Sequence, residues 1–131
     1  MPLRRNINRA LATFALTLFS IGVVQAGDCD ATAGEKAFAK CIACHSMEPG
    51  QHLTGPSLYR VVGRKAGSTE GFLYSVALEE SQLVWDTETL SAFLENPMVF
   101  VPGSIMPFAG LKKAEERQSL VCWLAEQNVN K

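Results

Sequence analysis

The residues best suited to chemistry stand together at positions 41–45, which read Cys-Ile-Ala-Cys-His. Two cysteines separated by two residues and followed directly by a histidine form the attachment signal for c-type haem. The thiols of Cys41 and Cys44 can bond the two vinyl groups at one porphyrin edge, and His45 can then reach the iron. The motif therefore predicts one haem c, bound covalently through Cys41 and Cys44, with His45 as a metal ligand.

Other kinds of site use part of the same pattern. In redox-active disulfides a Cys-x-x-Cys pair follows a buried strand and begins a helix, whereas here residues 33–40 predict a helix that runs into the motif. A zinc site would need two more ligands, and His52 is the only other histidine in the chain. Haem attachment is favoured, and a redox pair, a zinc site and a chance match stay open from the motif alone.

A second axial ligand is predicted at Met106. This methionine lies in residues 102–110, a segment whose prolines and glycines are expected to stiffen a loop. A stiff loop can hold a weak thioether ligand in place. His52 lies only seven residues after His45 and is expected to be an exposed loop histidine. The remaining methionines begin the chain, neighbour the motif or follow a proline, and are not expected to bind iron (Met1, Met47 and Met98).

The first 26 residues have the pattern of a secretory signal. Three arginines precede an uncharged stretch at residues 10–24, and small residues at Val24 and Ala26 stand where a signal peptidase cuts. The uncharged stretch, roughly 15 residues, is short for a membrane span. We therefore expect residues 1–26 to be removed after Ala26, residues 27–131 to form one domain, and that domain to reside in the periplasm.

Removal of this segment would change the charge of the chain. The whole sequence has 12 basic and 13 acidic residues, and the first 26 residues hold three of the basic ones and no acid. Nine basic residues then face 13 acidic ones, which gives a formal net charge of −4. This balance excludes a nucleic-acid binder that relies on bulk positive charge. A single domain of this size also excludes a multidomain enzyme and needs a disulfide, metal or cofactor for stability.

The elements that must position these residues are helices. Thr32 and Glu35 have the spacing of a capping box and predict a helix from Thr32 to about Cys44. A second helix is predicted over residues 87–96, ended by Pro97, and a third over residues 113–127, with apolar residues at helical spacing. No long strand-like alternation occurs. The fold class is therefore all-α, with three main helices and long loops that would wrap around one haem.

In these motifs and in their order, the sequence resembles class I cytochrome c, and in particular the short soluble bacterial type that is close to mitochondrial cytochrome c. The resemblance covers nearly all of residues 27–131 and implies the cytochrome c fold. Besides the haem motif it rests on these residues and segments: Gly34 with Phe38, residues 55–58, 63–67 and 71–74, Trp85, residues 93–97 and residues 106–110.

The resemblance implies that four further residues bind the cofactor. Pro56 would accept a hydrogen bond from a ring N–H of the iron-binding histidine and so fix its tautomer. Tyr74 and Trp85 would donate hydrogen bonds to a haem propionate, and Arg64 would place a positive charge near the same group. Judged without the resemblance, Tyr74 and Trp85 could equally be core aromatic residues and Arg64 a solvated charge.

Two cysteines lie outside the haem motif. In the family that the sequence resembles, the first and last helices cross, which would bring Cys29 close to Cys122. In an oxidising compartment we expect a disulfide between them, and two free thiols are the alternative.

The sequence also departs from the family it resembles. Phe93 and Leu78 stand where polar residues are common, which makes the expected haem pocket less polar. Met98, Val99 and Ile105 stand where lysines are common, so the face around the haem edge is expected to be apolar and its docking only weakly dependent on salt.

The function that the resemblance implies is that of a soluble periplasmic one-electron carrier with His/Met-ligated haem c, monomeric and not an enzyme. The expected donor is a quinol-oxidising cytochrome complex or a dehydrogenase. The expected acceptor is an oxidase, a peroxidase or a photosynthetic reaction centre. No nucleic acid and no stable membrane insertion are expected. The alternatives are an open-site haem protein that acts as a gas sensor or peroxidase, and a dedicated electron-accepting subunit of one dehydrogenase.

Overall fold

The computed structural model describes residues 29–129, together with Met1. The secretory signal predicted over residues 1–26 and its cleavage site therefore lie outside the described residues, except for Met1. The described chain forms five helices: α1 (Ala31–Phe38), α2 (Val76–Glu80), α3 (Thr87–Glu95), α4 (Pro97–Phe100) and α5 (Ala114–Val129). Residues 29–129 contain no β-strand, only two isolated bridges, and this agrees with the all-α class. None of the helices described could cross a membrane, because none is both long and apolar enough.

Helices α1 and α5 cross and form the main helix contact of the fold. The crossing depends on Gly34, because a Cβ atom there would collide with the carbonyl oxygen of Ser119 and lie 2.5 Å from the Cβ atom of Trp123. Beside this contact, the rings of Phe38 and Trp123 pack with their centroids 4.8 Å apart. The helix crossing expected from the resemblance is therefore present in the structure.

The predicted bounds of the first helix were wrong at both ends. Its N-cap is Asp30, whose side-chain oxygen accepts a hydrogen bond from the backbone N–H of Ala33 at 2.8 Å. Asp30 is a better cap here because its carboxylate also favours the positive end of the helix. The helix ends at Phe38, and the backbone then tightens into turns in which the N–H groups of Cys44 and His45 both donate to the carbonyl of Cys41.

The second and third predicted helices are confirmed as α3 and α5, with ends that differ by one or two residues. Pro97 ends α3 as predicted, but it also begins the short helix α4, where its missing N–H costs nothing. Helix α2 was not predicted. Its five residues are too few to show a helical period, and its N-cap, Ser75, is the only local signal for it.

A disulfide joins Cys29, just before α1, to Cys122 on α5. The two Cα atoms lie 5.8 Å apart across a sequence separation of 93 residues. The structure thus contains the expected disulfide rather than two free thiols. Cys41 and Cys44 are both free and half-buried.

Candidate haem site

The loops and helices surround a cavity of about 450 Å³ with mostly apolar walls. All eight residues that the sequence analysis assigned to the haem line this one cavity: Cys41, Cys44, His45, Pro56, Arg64, Tyr74, Trp85 and Met106. They come from six separate places along the chain, so the fold, rather than local sequence, brings them together. A mostly apolar cavity with a few converging polar groups is typical of a cofactor site.

One side of the cavity, which we call the histidine wall, consists of residues 41–58 and is held by hydrogen bonds. The backbone N–H of Gly55 donates to the carbonyl of Cys44 at 2.8 Å, and that of Leu58 donates to Ser46 at 2.8 Å. Ser57 is buried, and its hydroxyl donates to the carbonyl of Glu48 at 2.6 Å. These bonds fold the segment back on itself, so that His45 and Pro56 face each other.

The imidazole of His45 is fixed in one tautomer. Its Nδ1 lies 2.7 Å from the carbonyl oxygen of Pro56, and since a carbonyl can only accept, Nδ1 carries the proton. Burial lowers the pKa of His45, an effect that the hydrogen bond to Pro56 partly opposes, and nearby Arg64 lowers it further. A neutral ring protonated at Nδ1 leaves the lone pair of Nε2 available to a metal.

Gly55 leaves the space that this ring occupies. A Cβ atom at Gly55 would lie 2.5 Å from Cε1 and 2.9 Å from Nε2 of His45. Because real Cβ atoms do not approach other atoms so closely, any side chain at this position would displace the imidazole. The glycine of the Gly-Pro pair is thus part of the site, which the sequence analysis recorded only as part of a family motif.

The two thiols lie at the same side of the cavity as His45. Burial raises the pKa of the Cys41 thiol; the charge of Lys40 opposes this effect, and Cys44 adds to it. Both side chains line the cavity and neither belongs to a disulfide. Two free thiols that line the cavity next to His45 are the groups that covalent haem attachment requires.

Another part of the cavity wall carries donors and a positive charge. The guanidinium of Arg64 donates to the carbonyls of Ser57 and Tyr59, at 3.0 and 3.1 Å, and burial lowers its pKa. The hydroxyl of Tyr74 and the indole N–H of Trp85 make no hydrogen bond to any other residue that the structure describes. Donors without partners, beside a half-buried cation, suit the carboxylate of a haem propionate.

A further part of the cavity wall, which we call the methionine wall, belongs to residues 96–111. Its two ends are bonded, with Val101 N–H donating to Pro97 and Leu111 N–H to Leu94. Met106 lies between them, and its own N–H reaches only the hydroxyl of Ser104, at 3.5 Å. A Cβ atom at Gly110 would overlap the carbonyl oxygen of Glu95, so this end lies directly against α3.

His52 lies in a loop, as expected, but it is less exposed than expected. Its ring is half-buried, and both nitrogens have partners. Nδ1 accepts a hydrogen bond from the N–H of Ser57 at 3.1 Å, and Nε2 donates to the carbonyl of Glu70 at 2.9 Å. Its edge packs against Phe72. His52 therefore ties the histidine wall to the loop at Glu70, a long-range contact that no local sequence signal could have shown.

Comparison with known proteins gives a consistent result. No protein-family model matches the chain. Cytochrome c2 of Rhodomicrobium vannielii is 42% identical over 115 residues, which cover 87% of this chain and 90% of that protein. Cytochrome c type-1 of Ascaris suum is 42% identical over 99 residues, or 75% of this chain and 88% of the relative. The solved structure of cytochrome cH from Methylobacterium extorquens is similar with a TM-score of 0.71 and 42% identity, covering 74% of this chain and 98% of that one.

The cavity, its free thiols and its neutral histidine define a haem-binding protein of the c type. With these relatives, the chain belongs to the class I cytochrome c family. Proteins of this family carry covalently bound haem c and are electron carriers rather than enzymes, so the expected cofactor and the expectation of a non-enzyme are confirmed by the comparisons.

Proposed function

We propose that this chain is a diffusible periplasmic one-electron carrier in which Cys41 and Cys44 hold the haem and His45 and Met106 ligate its iron. The haem supplies the reversible one-electron chemistry. The protein contributes position, by holding both ligands on opposite walls of one cavity, and environment, by surrounding the group with apolar side chains.

The observation that carries the proposal is the state of His45. The carbonyl of Pro56 orients the ring, burial keeps it neutral, and Gly55 leaves room for it. The ring therefore presents Nε2 to the cavity without any need for a metal to organise it. Second-shell hydrogen bonds of this kind fix the tautomer of a ligand and raise its basicity. On this proposal, Arg64, Tyr74 and Trp85 bind the propionates.

The competing function, an open-site peroxidase or gas sensor, has less support. Peroxide chemistry needs a general acid or base beside the open position. Among the residues described, His52 is the only histidine besides His45, and its two nitrogens are held by Ser57 and Glu70. It is not among the residues that line the cavity. A saturated His/Met iron, by contrast, changes little in geometry when it gains or loses an electron, as a carrier requires.

We also propose export to the periplasm and transient redox partners. The disulfide between Cys29 and Cys122 supports an oxidising compartment. A quinol-oxidising cytochrome complex or a dehydrogenase would supply the electron, and an oxidase, peroxidase or reaction centre would accept it. Mass measurement of the mature protein from the periplasmic fraction tests the first point, because cleavage after Ala26 would make Gly27 the first residue.

The test of axial ligation is the visible spectrum of the purified holoprotein. Ferric iron bound to a methionine sulfur shows a weak charge-transfer band at the red end of the visible range. We expect this band in the ferric protein, its loss on reduction, and its loss in Met106→Leu, with a lower midpoint potential in that variant. Met98→Leu is the matched control, since Met98 is half-exposed outside the cavity, and should keep the band. A high-spin ferric spectrum in the unmodified protein would instead support the open-site function.

A further inference from the structure

Two stretches of chain at the edge of the cavity contain no charged residue. These are residues 71–78 and residues 96–111, in a chain of which 19% is charged. A glutamate or a lysine bounds each stretch on both sides, so each uncharged stretch has sharp limits. Both stretches contribute to the cavity wall, through Phe72, Tyr74 and Leu78 in the first and Ile105, Met106 and Phe108 in the second.

The two uncharged stretches touch each other. A Cβ atom at Gly103 would lie 3.0 Å from the Cβ atom of Ala77 on α2, so the methionine wall packs directly against that helix. Each stretch also exposes large apolar side chains: Leu73 is 89% exposed, Val99 71% and Ile105 70%. We call this set the apolar rim. Its members are Leu73, Val76, Met98, Val99, Phe100 and Ile105.

Three cations that line the cavity or directly follow the methionine wall make contacts within the protein. Lys40, which lines the cavity, pairs with Glu116. Lys112, directly after the methionine wall, donates to the carbonyl of Glu95 at 2.7 Å. Arg64 is turned inward to two carbonyls. Lys113 remains exposed one residue further along. An acidic group on a partner would therefore find almost no free cation to pair with at the rim.

We propose that the apolar rim is the docking surface for a redox partner whose own contact face is uncharged and apolar. The inference rests on the proposed carrier function and specifies its partner. An acidic partner face would gain no ion pair at the rim and would be repelled by the net charge of −4 expected for residues 27–131. Binding to an apolar face would be favourable, because it would remove the six apolar side chains of the rim from water.

The size of the rim favours a transient partner over a second copy of this chain. Stable interfaces use about 20–30 residues on each side, and weak redox encounters use much less. Six side chains fall in the second range. Two copies would also carry the same negative charge, which opposes their association at low salt.

The test uses the holoprotein and gold electrodes coated with alkanethiols of one length. One coating ends in mixed methyl and hydroxyl groups and the other in carboxylate. Cyclic voltammetry should give faster electron exchange at the uncharged coating, with less than about a twofold change between low and high salt. Leu73→Lys and Val99→Lys, one from each stretch, should each shift the preference toward carboxylate by roughly tenfold and introduce salt dependence. Both sites are highly exposed, so folding should survive.

The matched control is Val84→Lys, which adds the same charge at an exposed apolar residue outside both stretches. It should leave the preference unchanged. Faster exchange at carboxylate in the unmodified protein, or an equal response to Val84→Lys, would overturn the proposal. If sedimentation velocity showed a dimer and Val99→Lys made it monomeric, the rim would be an interface between two copies of this chain. If the protein bound uncharged phosphatidylcholine vesicles, the rim would be a lipid-binding surface. Failure to oxidise and reduce even with a small inorganic reagent would defeat the carrier function itself.

Discussion

The histidine wall and the methionine wall face the same cavity but are held in different ways. Residues 41–58 are tied by hydrogen bonds throughout, and His52 adds a link to the loop at Glu70. In the methionine wall, residues 105–110 make only two hydrogen bonds among the residues that the structure describes: the N–H of Phe108 donates to the carbonyl of Met106, and the N–H of Met106 donates to the hydroxyl of Ser104. The histidine side is therefore organised by the protein alone, whereas the methionine side has few bonds besides the one that Met106 would make to iron.

This difference has a consequence for dynamics. Segments with few hydrogen bonds to the rest of the fold open locally at a lower free energy than well-bonded ones. We expect residues 104–110 to open first and the histidine wall to stay closed until global unfolding. The four variants below test that contrast, in order of decreasing expected effect.

Gly55→Ala should abolish the histidine site. The added Cβ atom would lie 2.5 Å from Cε1 of His45, and the ring would have to leave its place opposite Pro56. We expect almost no low-spin holoprotein, measured from the visible spectrum after expression with haem maturation. Gly50→Ala is the control, because Gly50 has a positive φ of 66° but no atom within 4 Å of an added Cβ. Similar losses in both variants would show that any added Cβ in this loop is harmful, and that the clash with His45 is not the cause.

Removing the disulfide should lower the free energy of unfolding without changing which of the two walls opens first. The double variant Cys29→Ser/Cys122→Ser opens a loop with a sequence separation of 93 residues, for which the loop-entropy relation gives about 4.6 kcal/mol. Denaturant unfolding of the holoprotein measures this loss. Hydrogen exchange should show both walls retaining their order of opening, because the bridge lies at the α1–α5 crossing and touches neither. A reversal of that order would contradict the proposed difference between the walls.

His52→Ala should weaken the histidine wall selectively. It leaves the N–H of Ser57 and the carbonyl of Glu70 without their partner, at a cost of roughly 1–3 kcal/mol. Faster exchange is expected for amides of residues 52–58 and not for residues 104–110. Ser46→Ala provides the comparison, since its hydroxyl makes exposed hydrogen bonds and its loss should be nearly neutral. If exchange became faster in the methionine wall of His52→Ala instead, His52 would not be the residue that holds the histidine wall.

The smallest effect is expected for Asp86→Asn at the start of α3, the helix against which the methionine wall ends. Hydrogen bonds from Thr89 hold the pKa of Asp86 below its ordinary value of 3.8. Because the folded pKa is the lower one, the carboxylate stabilises the fold above pH 3.8 and loses that contribution as the pH falls through the folded value. Asparagine also caps helices well. The difference in stability between the two proteins, from denaturant titrations, should be small and constant near pH 6 and vanish in acid.

The parts of the molecule that could be predicted are those with a strong local signal. The Cys-x-x-Cys-His motif predicted the haem c that the relatives carry, and helical spacing predicted α3 and α5. The family resemblance suggested the crossing at Gly34 and the pairing of Cys29 with Cys122. Each of these depends on residue types at fixed spacing, which a sequence displays directly.

The predictions that failed concern features that depend on two residues competing for one role, on very short elements, or on contacts between residues distant in sequence. Thr32 and Asp30 could both cap the first helix, and the geometry of the Asp30 carboxylate decided between them. Five residues of α2 are too short for a period to be visible. The burial of His52 depends on Glu70 and Phe72, which only the folded loop brings near. Sequence periodicity carries no information about such pairings.

The bridge from Cys29 to Cys122 also decides how the protein bears mechanical load. It closes residues 29–122 into a covalent ring that contains all the residues lining the cavity except Leu124, with α5 leaving the ring through its last turns. A force applied at the two ends would pass directly across the bridge and leave the ring unstretched. In a pulling experiment, the extension should therefore come only from residues outside 29–122 until a reductant is added, after which the full length of the domain should unravel.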